Sequence, residues 1–245
     1  MNTNRPATGI DPKIDTNKKT ARIAGLLYLL YIIFQVFADG LGRSKIIVMG
    51  DATTTARNIM ASAWQFRIGF LVDLVAAVVF LLTAWALYVL LKPVNKNLAL
   101  LFLLMNLGGV AVSCLSDLFL IASQLLLSGT DYLKVFQADQ LQSLAMLSLY
   151  LYKYGFLGIA QIFFGAWLFP LGYLVFKSGY LPRILGVILM VHCVVWLMGV
   201  LQYFLFPGFV GMPFVGITYL SNPIGFISEF GLTLWLLIMG AKDPK

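Results

Sequence analysis

WQFRIGFLVDLVAAVVFLLTAWALYVLLKPVNKNLALLFLLMNLGGVAVSCLSDLFLIASQLLL, residues 64–127, is two long apolar runs hinged on KPVNKN, a six-residue turn that begins at Lys92. Each run exceeds the about 20 mostly apolar residues that carry a helix across a bilayer. A soluble hairpin would show one apolar stripe per helix, whereas these are apolar on every face, so lipid has to be their solvent.

Four further segments read the same way: about 20–38, 143–176, 183–206 and 221–240. The composition agrees, with 60% hydrophobic residues and only 11% charged. Such a balance is far from that of a soluble domain. The expected fold is therefore all-α, a polytopic bundle of six transmembrane helices spanning 20–240. Residues 1–19, polar and rich in Thr, Asn and Lys, read as a disordered cytoplasmic tail, and 241–245 as a second tail. The first apolar run is not a cleavable signal, because it stays bulky throughout and no small-x-small site ends it. Ser221 and Asn222 can cap the last helix, Pro223 suits its first turn, and Gly240 suits its end. Cys114 and Cys193 lie inside apolar runs without metal-type spacing and read as small membrane-core residues.

The formal charge of +7 is scattered over segment ends rather than gathered into a patch for nucleic acid. With six spans, Arg5, Lys13, Lys18, Lys19, Arg22, Lys92, Lys96, Lys177, Arg183, Lys242 and Lys245 fall on one side. Arg43, Lys45, Arg57, Arg67 and Lys134 fall on the other. The bias puts both termini in the cytoplasm. An internal repeat is also legible: FRIGFL (Phe66–Leu71) resembles YKYGFL (Tyr152–Leu157), and Tyr88 precedes Lys92 as Tyr173 precedes Lys177. Helices two and three then match helices four and five as a parallel repeat.

Ionisable residues inside spans are costly and mark function by default. Asp73, Asp117, Lys153 and Glu229 fall roughly 8–15 Å below the outer boundary at about 1.5 Å per residue, with Arg67 and Gln202 near that boundary. They are expected to form one polar layer, with Lys153 pairing Glu229 or Asp117, and Arg67 sharing a face with Asp73. Carboxylates outnumber nearby cations, which calls for a held proton or a bound cation. Three uses stay open: a salt-bridged structural core, an outward-opening cavity for a small solute or ion, and acid–base catalysis. No Ser/His/Asp arrangement, metal cluster, phosphate loop or cofactor fingerprint supports the last, and no cofactor or metal is expected. His192, alone, reads as a hydrogen-bonded core histidine. Gly158, Gly165 and Gly172, spaced by seven, form a stripe that admits a neighbouring helix, and Pro170 is placed to kink its helix. In the outer loops, Asp51 or Thr53 can cap a short helix, and the uncharged PGFVGMPFVGITY (207–219) reads as a lid.

The stretch QIFFGAWLFPLGYLVFKSGYLPRILGVIL, from Gln161 to Leu189, resembles a bacterial family of membrane proteins, domain-of-unknown-function family 4386. ARIAGLLYLLY, GDATTTARNIMA and the EFGLTLWLLIMG ending at Gly240 are similar to the same family, so the resemblance covers about residues 20–240. It implies a multi-pass protein of a bacterial plasma membrane and carries over no activity and no functional residue. The function expected is binding or transport of a small solute or ion at Arg67, Asp73, Asp117, Lys153, Gln202 and Glu229, with the lipid bilayer as partner. The alternatives are an accessory membrane subunit and an intramembrane enzyme.

Overall fold

A computed structural model describes residues 12–205, 221 and 223–241, and every regular element among them is helical. Helix α1 is Pro12–Ala38, prolonged by a π-helical turn Asp39–Arg43 and a short turn Ser44–Ile46. Then come α2 (Ala52–Ala61), α3 (Ala63–Leu91), α4 (Lys96–Leu126), α5 (Ala138–Lys177), α6 (Arg183–Leu205) and α7 (Pro223–Ile238). Helix α1 begins at Pro12, within the stretch 1–19 read from sequence as a tail. The outer loop 207–219, Asn222 and residues 242–245 lie outside the described residues.

Five of these helices, α1 from Asn17 and then α3, α4, α5 and α6, are long and apolar enough to cross a membrane by length and composition. The sixth expected segment is α7, which is apolar but shorter. Why these helices suit lipid is visible on their outer faces. Leu71, Val75, Val78, Leu82 and Trp85 form an exposed apolar stripe along α3 at three- and four-residue spacing. Leu100, Leu104, Leu107, Leu115 and Leu118 do the same on α4. Faces of this size facing water would be an aggregation liability.

The long helices pack in a closed order: α7 against α1, α1 against α3, α3 against α4, α4 against α5, α5 against α6, and α6 against the middle of α7. At the centre Trp167 of α5 is 1% exposed and takes edge-on contacts from Phe80 of α3 at 5.1 Å, Phe102 of α4 at 6.3 Å and Tyr28 of α1 at 6.3 Å. Large aromatic rings meeting edge-on hold four helices at one level. Trp167 also marks a break in α5. Pro170 cannot donate to Ala166, and its ring crowds that carbonyl, so the helix is interrupted between Ala166 and Leu168. The break lies three residues before the proline.

Small residues set the closest crossings. The glycine stripe of α5 admits a neighbouring helix, and that helix is α6: Gly158 meets Phe204, Gly165 meets Trp196 and Leu197, and Gly172 meets the backbone of Gly186. A β-carbon at Gly186 would lie 2.6 Å from Gly172 O and 2.6 Å from Phe176 N. The α5–α6 turn is tied back to α3 by Tyr180, whose hydroxyl donates to Leu90 O at 2.6 Å and is pushed up to about 12 by burial. At the other end Gly240, with φ +67°, closes α7 by donating its N–H to Trp235 O. Cys114 and Cys193 are free thiols within the helices.

Two expectations follow. Gly186→Ala forces α5 and α6 apart and should cost about 1–3 kcal/mol in graded unfolding of detergent-solubilised protein, whereas Gly40→Ala, with nothing within 4 Å, should not. Asp51 caps α2, as expected, accepting from Thr54 N at 2.8 Å. Hydrogen bonds from Thr54, side chain first and backbone second, hold its carboxyl below the ordinary range. A carboxyl lowered in the folded state adds stability above its unfolded value near 3.9, and that stability is lost as pH falls through the folded value. Protection of the α2 amides, taken relative to the chemical exchange rate at each pH, should therefore fall below about pH 4 in the wild type, and Asp51→Ala should show the lower protection at every pH.

Candidate functional site: two buried polar clusters between the helices

The first cluster is built by the end of α1. The π turn Asp39–Arg43 inserts an extra residue into the last turn and so re-aims Arg43, which is 6% exposed. The segment after it is pinned by α2: Thr55 Oγ1 donates to Val48 O at 2.9 Å and accepts from Val48 N at 3.0 Å, while Asn58 Nδ2 donates to Ile46 O at 3.1 Å. With its chain held on both sides, Arg43 directs both terminal nitrogens at Asp73 of α3. Its Nη1 donates to Asp73 Oδ2 and its Nη2 to Oδ1 at 3.1 Å. The guanidinium also lies 5.6 Å from the ring centre of Tyr152 on α5. A paired fork of this kind is the strong form of an ion pair.

Beside the pair is a cavity of about 20 Å³, room for one water molecule. Tyr31 and Gln35 of α1, Asp73 of α3, and Ser113 and Asp117 of α4 form its polar lining, and Phe80, Phe156 and Phe164 its apolar walls. Asp117 is 2% exposed, and its Oδ1 has no hydrogen-bond partner, nor has Ser113 Oγ. Further along α4 both amide atoms of Asn106 are likewise buried and unpartnered. Residues 106, 113 and 117 are spaced by seven and four and share one helix face. Each such orphaned atom costs about 1–3 kcal/mol, so the four on these three residues are costly unless a polar species reaches them. Arg43 gives both its hydrogen bonds to Asp73. Asp117 has no base of its own and must hold a proton or a cation to stay in this environment.

The second cluster lies between α1, α6 and α7. Glu229 sits in a π turn, Phe226–Phe230, at the middle of α7. Its Oε2 accepts from Tyr28 Oη, and its Oε1 is 3.4 Å from His192 Nδ1. The same Nδ1 is 3.2 Å from Ser228 Oγ, and Ser228 Oγ donates to Gly225 O at 3.2 Å. His192 is fully buried, stands edge-on to Trp196 at 5.1 Å, and leaves Nε2 unpartnered. Ser228, His192 and Glu229 do not make a nucleophile relay, because such a relay uses both ring nitrogens and here both partners meet Nδ1. Among the described residues no three His, Cys, Asp or Glu side chains gather into a metal site.

Several expected pairings are corrected. Lys153 forms no ion pair with Glu229 or Asp117 among the described residues. Its neighbour Tyr152 is the buried residue at that level of α5, and Lys153 is half-buried. Arg67 is exposed and donates through Nε to Gln124 Oε1 at 3.2 Å instead of joining Asp73. Six residues turn a helix by about 600°, which leaves the two roughly 120° apart. Gln202, half-buried on α6, does not line the cavity. Arg43, which sequence placed in an outer loop, and the His192–Glu229 contact were not foreseen. The signal for Arg43 was a lone cation just past a helix end, opposite an aspartate with no partner on its own helix.

Breaking the pair one side at a time tests its burial. Arg43→Met leaves Asp73 alone and should cost about 3–5 kcal/mol in detergent unfolding. The double variant Arg43→Met, Asp73→Leu should recover most of that loss.

Residues 23–240 match the family described as "Domain of unknown function (DUF4386)". An "Uncharacterized protein" of the archaeon Archaeoglobus fulgidus is 31% identical over 162 residues, which cover 65% of this chain and 75% of that one. No solved structure matches. The chain is a member of the domain-of-unknown-function family 4386, its residues 23–240 carrying the family's multi-pass helical domain.

Proposed function

We propose that this protein binds or transports a small ion at the cavity between α1, α3 and α4, as a six-span plasma-membrane protein with both termini in the cytoplasm. The carrying observation is Asp117, buried with an unpartnered oxygen beside a second carboxylate that already has its arginine. A space of about 20 Å³ suits an ion or a proton better than an organic solute. The sixth span would be α7, and the Lys and Arg bias supports the orientation.

The repeat is supported by two correspondences. Lys92 lies 5.8 Å from the ring centre of Tyr88, and Lys177 lies 6.0 Å from that of Tyr173. Phe66 and Tyr152, aligned in the repeat, join one apolar cluster that Phe70 and Phe156 also pack against. The halves differ where Gly155 opens a π turn and Gly69 continues an α-helix. An accessory subunit is the second reading, and the two-pronged Arg43–Asp73 pair is the observation that favours it.

Purified protein in vesicles with trapped indicators for H⁺, Na⁺ and K⁺ separates the two. The wild type should pass one of these ions under an imposed potential, and Asp117→Asn should reduce it to the level of empty vesicles while remaining monodisperse. Equal flux in wild type and variant removes Asp117 from the role proposed.

A further inference from the structure

The Glu229–His192 cluster is separate from that cavity and carries chemistry of its own. The titratable groups facing Glu229 are Tyr28 and, one turn on, Tyr31 from α1, and His192 from α6. No Lys or Arg among the described residues pairs with it, and Arg43 is committed to Asp73. The Glu229 side chain is 27% exposed, and without a permanent cation a carboxylate within an apolar span is costly unless a proton neutralises it. That proton has two places to sit, on Glu229 or on His192, and in either the pair is neutral overall. Removing it leaves a bare carboxylate beside a neutral ring. The pair is thus built to hold a single proton.

The hydrogen bonds say how the proton is handled. Ser228 Oγ gives its hydrogen to Gly225 O, so it receives at His192 Nδ1 rather than donating there. This arrangement favours the tautomer with the ring hydrogen on Nδ1, within reach of Ser228 Oγ and Glu229 Oε1, which leaves Nε2 as the bare, buried acceptor. A proton arriving at Nε2 forms an N–H bond there. The Nδ1–H bond breaks, and its proton forms an O–H bond at Glu229 Oε1. The ring ends neutral in its other tautomer and the carboxyl ends protonated, so charge and atoms balance. Tyr28 Oη, donating to Oε2, holds the carboxyl for that transfer.

The site also adjoins the first cluster through one helix face. Tyr28, Tyr31 and Gln35 lie at i, i+3 and i+7 of α1. Rings 28 and 31 are centred 6.2 Å apart, and Gln35 Nε2 is 3.5 Å from Tyr31 Oη. Tyr31 and Gln35 line the Asp73–Asp117 cavity. We infer that Glu229 and His192 form a proton-binding site that exchanges its proton with this cavity along the Tyr28–Tyr31–Gln35 face. The inference deepens the ion-binding reading above by naming the proton as the ion, and its link to the cavity rests on that reading.

His192 is the sole histidine of the chain, so ¹⁵N-histidine labelling of the full protein in vesicles reports this ring alone. The wild type should show an Nδ1–H ring that titrates in one step, and Glu229→Gln should move the midpoint by about one pH unit or more. Tyr28→Phe should keep the step yet slow proton flux, read by a trapped pH dye, by about tenfold, the ratio set by one hydrogen bond to a charged group. A wild-type ring with hydrogen on Nε2 and bare Nδ1 at every pH overturns the site without recourse to any variant. So does a Glu229→Gln titration identical to the wild type. Wild-type flux in Glu229→Gln together with lost flux in Asp117→Asn overturns the proton site and leaves the cavity standing. The reverse pattern overturns the cavity and keeps the proton site.

Discussion

Hydrocarbon offers no water to a charge, so each ionised side chain in this bundle has to find its counterpart within the protein. The Arg43–Asp73 pair meets that demand by linking the far end of α1 to α3, the neighbour against which α1 packs along its length. Much else at that end of the molecule follows from it. The π turn aims the arginine, α2 and its Asp51 cap pin the chain that follows, and Tyr152 of α5 lies under the guanidinium. Removing the arginine would undo a joint between three helices and not merely one contact.

Three π turns interrupt the described helices, and each lies at a polar cluster. Asp39–Arg43 ends on the arginine, Gly155–Ile159 follows Tyr152 and includes the cavity-wall residue Phe156, and Phe226–Phe230 contains Glu229. A π turn spends hydrogen-bond geometry to rotate the residues around it, and such turns are frequent at functional sites. Two of them carry the charged side chain itself, Arg43 and Glu229, whereas Gly155–Ile159 contributes only Phe156 to the cavity wall. At Gly155 α5 packs against α4, and an added β-carbon would clash with Ser116 Oγ, next to Asp117.

The helices themselves were legible in the sequence because hydropathy is a local property. A run of apolar residues reports its solvent whatever its neighbours are, so α3 and α4 follow from residues 64–127 almost to the residue. Caps were legible for the same reason: Asp51 and Gly240 act within one turn of themselves. The glycine stripe on α5 was legible as a packing face, though not that α6 would be its partner. That Asp73, Asp117 and Glu229 are costly was also readable, since a carboxylate in an apolar run is costly wherever it ends up.

Their partners were not readable, and the errors have one cause. Pairing Lys153 with Glu229 or Asp117 used depth alone, but two residues at one depth meet only if their helices are neighbours and both face inward. Helix α5 turns Tyr152 inward and lies beside α4 and α6, while Glu229 faces α1 and α6. Arg43 was counted as a loop residue because hydropathy ends the helix near Ala38, whereas hydrogen bonding carries it on to Ile46. The sequence alone therefore determined the solvent, the helices and the list of costly charges, each a matter of local composition. Which charge meets which was decided only by the tertiary structure, because that depends on helix order and on the rotation that three π turns impose.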